Sequence, residues 1–232
     1  VAGLRAAGLD WRAMWLCAGA ASSCALAVVA ASIGPDGERP ATYQHHGAAA
    51  PTTAAFRRLI AANTLSAFGY VITATFIVTL VRGSATLNGL EAAIWVVFGL
   101  AAAPSVALWM AVARRVDALR AFAIVCVVES VGVVASVLWL EPAGTLVAAI
   151  CVGGSFMGTT ALGMLGARAL ARGDSRRPVA LMTAGFGVGQ MLGPSLAGIA
   201  RDASGSFVLP SLCAAACLLL ASWLALRAKA LS

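Results

Sequence analysis

Long apolar runs separated by short polar stretches make up most of this chain. Seven of these runs are long enough to cross a bilayer as helices, which takes about 20 residues each. They lie at 11–33, 57–82, 90–113, 119–140, 144–168, 178–200 and 206–227. The apolar residues are continuous and do not alternate with polar ones, which excludes the strands of a transmembrane barrel. We therefore predict an all-α polytopic membrane protein with seven transmembrane helices.

Composition and charge narrow the class further. Of the 232 residues, 61% are apolar and 11% are charged, too few charges for a soluble domain of this size. The net charge of +7 comes from scattered Arg residues that form no basic face, so we expect no nucleic-acid partner. The bilayer is the expected environment. A soluble enzyme and a disordered chain are both excluded.

The longest polar stretch, 34–56, predicts a linker between two helical bundles. It carries three Pro and three Gly and has no helical periodicity. His45 and His46 lie there, either as solvated residues or as a metal site. Twelve Arg and Lys residues fall on the linker's side of the predicted spans and four on the other side. This asymmetry predicts a cytoplasmic linker and a cytoplasmic C-terminus.

Polar side chains recur on one face of the second predicted span. Spacings of three, four and three residues place them on one side of a helix. Such a stripe either lines a polar cavity or bonds neighbouring helices and its own backbone. Polar residues in the fifth and sixth spans leave the same two interpretations open. The candidate cavity residues are Asn63, Ser66, Tyr70, Thr73, Ser155, Thr159 and Gln190.

Glycines repeat every four residues in the sixth span. Gly185, Gly189 and Gly193 leave one helical face without side chains, and Pro194 follows them. Close packing against another helix is one interpretation of this face. A bend that gates the cavity is the other, because Pro and Gly weaken a helix.

Glu129 is the one acidic residue near the centre of a predicted span. A carboxyl group in hydrocarbon is far easier to bury neutral than charged, so it could take up and release a proton during transport. A protonated Glu can also hydrogen-bond to a neighbouring helix much as Gln does. Proton coupling and structural hydrogen bonding both remain open.

Five stretches resemble the major facilitator superfamily, in its YbfB/YjiJ-like branch. WMAVARRVDALR at 109–120 is similar to the cytoplasmic loop signature of the superfamily, although the glycines of that signature are absent. The other four are similar to its helices six, seven, ten and eleven. They are LDWRAMWLCAGA at 9–20, FGYVITATF at 68–76, GGSFMGTTALGMLGARAL at 153–170 and MTAGFGVGQMLGPSLAGIARDASG at 182–205.

The resemblance implies helices six to twelve of a twelve-helix transporter. Residues 1–33 would be the last helix of the N-terminal bundle, 34–56 the cytoplasmic linker, and 57–232 the C-terminal six-helix bundle. Helices one to five would then be a missing partner. In this family Arg114, Asp117 and Arg120 would hold the cytoplasmic helix ends together, and their charge pairs would bias the inward-closed against the inward-open state. The alternative is that these charges only set the orientation of the helices in the membrane.

We therefore expect a secondary active transporter that moves a small organic solute across the inner membrane, with proton-coupled efflux as the expected direction. The sequence has no P-loop, and its histidines lie in the linker, so we expect no ATP-driven pump, no enzyme, no cofactor and no metal. The alternative is a non-transporting accessory subunit or an integral membrane enzyme.

Overall fold

The computed structural model describes residues 11–32, 53–82, 90–171 and 176–229, and these residues form eight α-helices and no strand. The chain divides into two compact units, Val1–Gly47 and Ala48–Ser232. The helices are α1 (Trp11–Ser32), α2 (Ala54–Arg82), α3 (Glu91–Ala102), α4 (Ser105–Val116), α5 (Ala118–Leu138), α6 (Pro142–Leu170), α7 (Arg176–Ser204) and α8 (Val208–Lys229).

The helices confirm a polytopic all-α membrane protein. Among the described residues, five helices (α2, α5, α6, α7 and α8) are long and apolar enough to cross a bilayer. The pair α3 and α4 supplies a sixth span if the two helices are counted together. The apolar part of α1, Gly19–Ser32, is shorter, so the seventh span stays a prediction. Most of the predicted linker, including His45 and His46, lies outside the described residues.

The prediction of one continuous helix at 90–113 is wrong. α3 ends at Ala102 and α4 begins at Ser105, with a bend of 40° between them. Pro104 lies at the break, and because proline has no N–H it cannot donate to the carbonyl four residues earlier. The third predicted span is therefore a bent pair.

In the unit Ala48–Ser232, α2 lies at the centre of the helix packing. It contacts α8, α7, α6 and α5, while α5 also packs against α6 and α8. The bent pair α3 and α4 packs on α6. α7 is the least hydrophobic and the least buried of the five long spans. One side of α7 is therefore left outside the packed interior.

The glycine face of α7 lies directly against the backbone of α2. A methyl group at Gly185 would lie 2.6 Å from Thr64 Oγ1, and one at Gly193 would lie 2.9 Å from the carbonyl oxygen of Phe68. A methyl group at Gly189 would collide with the carbonyl oxygen of Thr64. These contacts favour the packing interpretation of the glycines. α7 also continues as one helix through Pro194.

Asp117 joins the α4–α5 corner to the end of α8. Its Oδ1 accepts a hydrogen bond of 3.0 Å from the backbone N–H of Arg120 and so caps the N-terminus of α5. Its Oδ2 forms ion pairs with Lys229 and with Arg120, whose Nε lies 3.8 Å away. Partial burial by itself would raise the pKa of Asp117. The bonds from Lys229 and the Arg120 amide, with the charges of both cations, lower that pKa below its ordinary value.

We predict that Gly189→Ala destabilises the protein by about 1–3 kcal/mol, because the added methyl group forces α7 away from α2. Gly187→Ala is the matched control, since Gly187 lies on the same helix and has nothing within 4 Å of its methyl position. The control should be neutral or stabilising by up to about 1 kcal/mol, as Ala is the better helix former. Unfolding by denaturant in detergent micelles measures the free energy of unfolding of both variants and of the wild type. Equal stability of the two variants would contradict the close contact.

We predict that Asp117→Asn lowers the free energy of unfolding at pH 7 by less than about 1 kcal/mol, because it removes a partly exposed ion pair and keeps an equivalent cap. Asp117→Ala should lose about 1 kcal/mol more, because it also removes the cap. Because the folded pKa is lowered, the carboxylate stabilises the fold fully above its unfolded pKa of about 3.9, and this contribution is lost as the pH falls from there through the folded pKa.

Unfolding of the three proteins at pH 7 and pH 3 in the same detergent tests this prediction. The difference between wild type and Asp117→Asn should shrink at pH 3. A difference that is unchanged at pH 3, or absent at pH 7, would show that the charge of Asp117 does not stabilise this corner.

Candidate functional site

Two predicted cavity residues meet between α2 and α7. The hydroxyl oxygen of Tyr70 accepts a hydrogen bond of 2.6 Å from Gln190 Nε2. Tyr70 is largely buried, and Gln190 is half-buried on the side of α7 next to its glycine face. Because the Tyr70 oxygen serves as the acceptor, its hydroxyl hydrogen is left to donate elsewhere. This pair places a polar group at mid-span beside aromatic side chains.

Aromatic rings from three helices stack around Tyr70. The ring centroid of Tyr70 lies 5.6 Å from that of Phe156 on α6 and 6.0 Å from that of Phe186 on α7, at interplanar angles of 25° and 29°. Phe98 of α3 tilts against Phe156 at 5.5 Å. Phe156 and Phe186 are half-buried. We call Tyr70, Phe156 and Phe186 the aromatic platform.

Glu129 meets a hydroxyl of α6 in the fully buried interior. Thr159 Oγ1 lies 3.4 Å from Glu129 Oε1 and 3.1 Å from the carbonyl oxygen of Ser155, and its single hydroxyl hydrogen can be donated to either oxygen. The Glu129 side chain is completely buried. Among the described residues, its second oxygen, Oε2, has no hydrogen-bond partner. One oxygen of the carboxyl group is therefore within reach of the Thr159 hydroxyl, and the other has no hydrogen-bond partner in the described part of the chain.

The remaining predicted cavity residues are buried, and most bond to backbone. Asn63 Nδ2 donates to the carbonyl oxygen of Met182 on α7 at 3.1 Å. Ser66 donates to the carbonyl oxygen of Asn63, and Ser155 to carbonyl oxygens one turn earlier in α6. Thr73 Oγ1 is buried and has no partner among the described residues. For Asn63, Ser66 and Ser155 these contacts favour structural hydrogen bonding over cavity lining.

The structure thus brings together two pairs of candidates, Tyr70 with Gln190 and Glu129 with Thr159. Sequence reasoning missed Phe156 and Phe186. A signal was present: Phe186 precedes Gln190 by one helical turn, and Phe156 directly follows Ser155. The sequence could not show that two distant helices bring these rings onto Tyr70.

The charged candidates at the helix ends lie far along the helices from these pairs. Asp117 is in the corner described above with Arg120, while Arg114 is exposed at the end of α4. Arg201 pairs with its neighbour Asp202 at 3.2 Å and lies 5.7 Å from the ring centroid of Phe207. In the part of the chain that the structure describes, no group of three His, Cys, Asp or Glu side chains could hold a metal ion.

The chain matches the model of a known protein family. The family described as "Uncharacterised MFS-type transporter YbfB" matches residues 1–226, which is nearly the whole chain. A search among curated proteins found no match. The matched region includes every long helix that carries the polar pairs and the aromatic platform. The chain belongs to the YbfB family of MFS-type transporters.

Proposed function

We propose that this transporter exports a small organic solute across the inner membrane in exchange for protons. Membership of an MFS-type transporter family supports movement of a solute without nucleotide hydrolysis. The buried carboxyl group of Glu129, with one oxygen on Thr159 and the other unpartnered among the described residues, is the observation that supports proton coupling.

Glu129 has the chemistry that a proton carrier inside a membrane needs. An intramembrane carboxyl group is expensive when charged, and its charge state is set by the polar groups and water that reach it. Thr159 can donate to a carboxylate or accept from a protonated acid, because a hydroxyl group serves both roles. Glu129 can therefore lose and regain a proton while keeping the same neighbour.

We infer that the unit Ala48–Ser232 works as one of two bundles that rock about a site near mid-membrane. Helices one to five of a twelve-helix transporter would supply the other bundle. The Asp117 corner, with Arg114 and Arg120 beside it, lies at the helix ends that we place on the cytoplasmic side. Its ion pairs are the contacts that would be made and broken as that side closes and opens.

Glu129→Gln should abolish accumulation of the exported solute driven by a pH gradient, because Gln keeps the shape and a hydrogen bond but cannot carry a proton. Everted membrane vesicles energised to be acid inside are incubated with a ¹³C-labelled extract of small solutes from the host cells. Mass spectrometry then measures which solutes the vesicles accumulate. Wild-type vesicles should concentrate at least one solute over vesicles without the protein.

Glu141→Gln is the matched control, because Glu141 is an exposed carboxyl group at the start of α6. The control should accumulate the same solute as wild type. Unchanged accumulation in Glu129→Gln would refute proton coupling through this residue. Accumulation that appears in right-side-out vesicles instead would reverse the proposed direction.

A further inference from the structure

The aromatic platform offers flat ring faces beside a polar edge. The Tyr70 ring stacks against each of the two Phe rings, and Phe156 and Phe186 are half-buried, so part of their surface lies outside the packed interior. The hydroxyl hydrogen of Tyr70 and the side-chain carbonyl of Gln190 have no partner among the described residues. Ring faces next to a free donor and a free acceptor match a solute that has an aromatic body and a polar group.

The platform lies on the side of the bundle that is least suited to lipid. α7, which carries Phe186 and Gln190, is the least hydrophobic and least buried of the long spans. An amide side chain in contact with lipid would lose hydrogen bonds that no hydrocarbon can replace. The exposed side of α7 is therefore better explained if it faces a polar cavity than if it faces lipid.

The charges around the platform disfavour an anionic solute. No Arg or Lys occurs in 59–81, 143–167 or 178–200, the parts of α2, α6 and α7 that surround it. The faces of aromatic rings carry partial negative charge. A carboxylate or phosphate group would find no cation here to replace its lost hydration.

We propose that the aromatic platform binds the flat aromatic part of a solute that carries no negative charge, with Tyr70 and Gln190 bonding its polar group. This inference rests on the proposed function, since it names the solute class of that transporter. It assigns Phe156 and Phe186 as binding residues and gives the Tyr70–Gln190 bond a role in orienting the solute.

Four probes of one size test the class: 2-naphthol, 2-naphthylmethylammonium, 2-naphthoate and decahydro-2-naphthol. Binding to the full chain in nanodiscs is measured by calorimetry, and empty nanodiscs correct for partition into lipid. The two uncharged or cationic aromatic probes should bind most tightly. The saturated decahydro-2-naphthol should bind about three- to tenfold more weakly, because it cannot stack on the rings. The anionic 2-naphthoate should bind most weakly.

Phe156→Leu and Phe186→Leu keep an apolar side chain and remove one ring. Each variant should bind 2-naphthol about three- to tenfold more weakly and should bind decahydro-2-naphthol with unchanged affinity. The preference for the aromatic probe would then disappear. Phe207→Leu is the matched control, because Phe207 packs at a tilt against Phe76, with ring centroids 4.6 Å apart, outside the platform. The control should keep the preference, which also shows that loss of a ring does not by itself unfold the protein.

Equal binding of 2-naphthol and decahydro-2-naphthol would overturn the inference. Tight binding of 2-naphthoate, or binding of none of the four probes, would overturn it as well. Its failure is separable from failure of the proposed function. If vesicles accumulate a non-aromatic solute, the transport proposal stands and the platform's role is refuted. If the protein binds aromatic probes selectively but no solute accumulates, the platform's role stands and the transport proposal is refuted.

Discussion

The close approach of α7 to α2 is the contact on which the candidate site depends. Without side chains at Gly185, Gly189 and Gly193, the two backbones meet directly. Only at that separation can Gln190 reach the Tyr70 hydroxyl and Phe186 stack on the Tyr70 ring. The glycine face therefore sets the geometry of groups that it does not touch.

Helices in a bilayer gain little from burying apolar surface, since lipid is as apolar as the helix faces that would be buried. Packing at short range and hydrogen bonds between helices must supply the association. The α2–α7 pair uses both. The glycines allow many van der Waals contacts, and Asn63 adds a bond to the carbonyl oxygen of Met182. The polar stripe of α2 thus has two uses: Asn63 holds α7 in place, while Tyr70 faces the aromatic rings.

The sequence predicts the parts of this fold that depend on local pattern. Hydropathy places the long helices to within a few residues of their ends, because each run must be apolar over its whole length to cross a bilayer. The break at Pro104 was missed because averaging over a long window hides one residue that cannot donate a hydrogen bond. Polar residues inside the predicted spans made Tyr70, Gln190, Glu129 and Thr159 candidates. The sequence could not pair them, because pairing depends on which helices are neighbours.

α6 connects the two halves of the candidate site. It carries Phe156 in the aromatic platform and Thr159 on Glu129, and these residues are three positions apart on one continuous helix. A residue three positions away lies on nearly the same side of a helix. If Glu129 loses its proton, the charge would act first on the hydroxyl groups of Thr159 and Ser155, which both belong to α6. A shift of α6 would move Phe156 relative to Tyr70. In the proposed proton-coupled mechanism, the link from Glu129 to the aromatic platform would therefore run along less than one turn of α6.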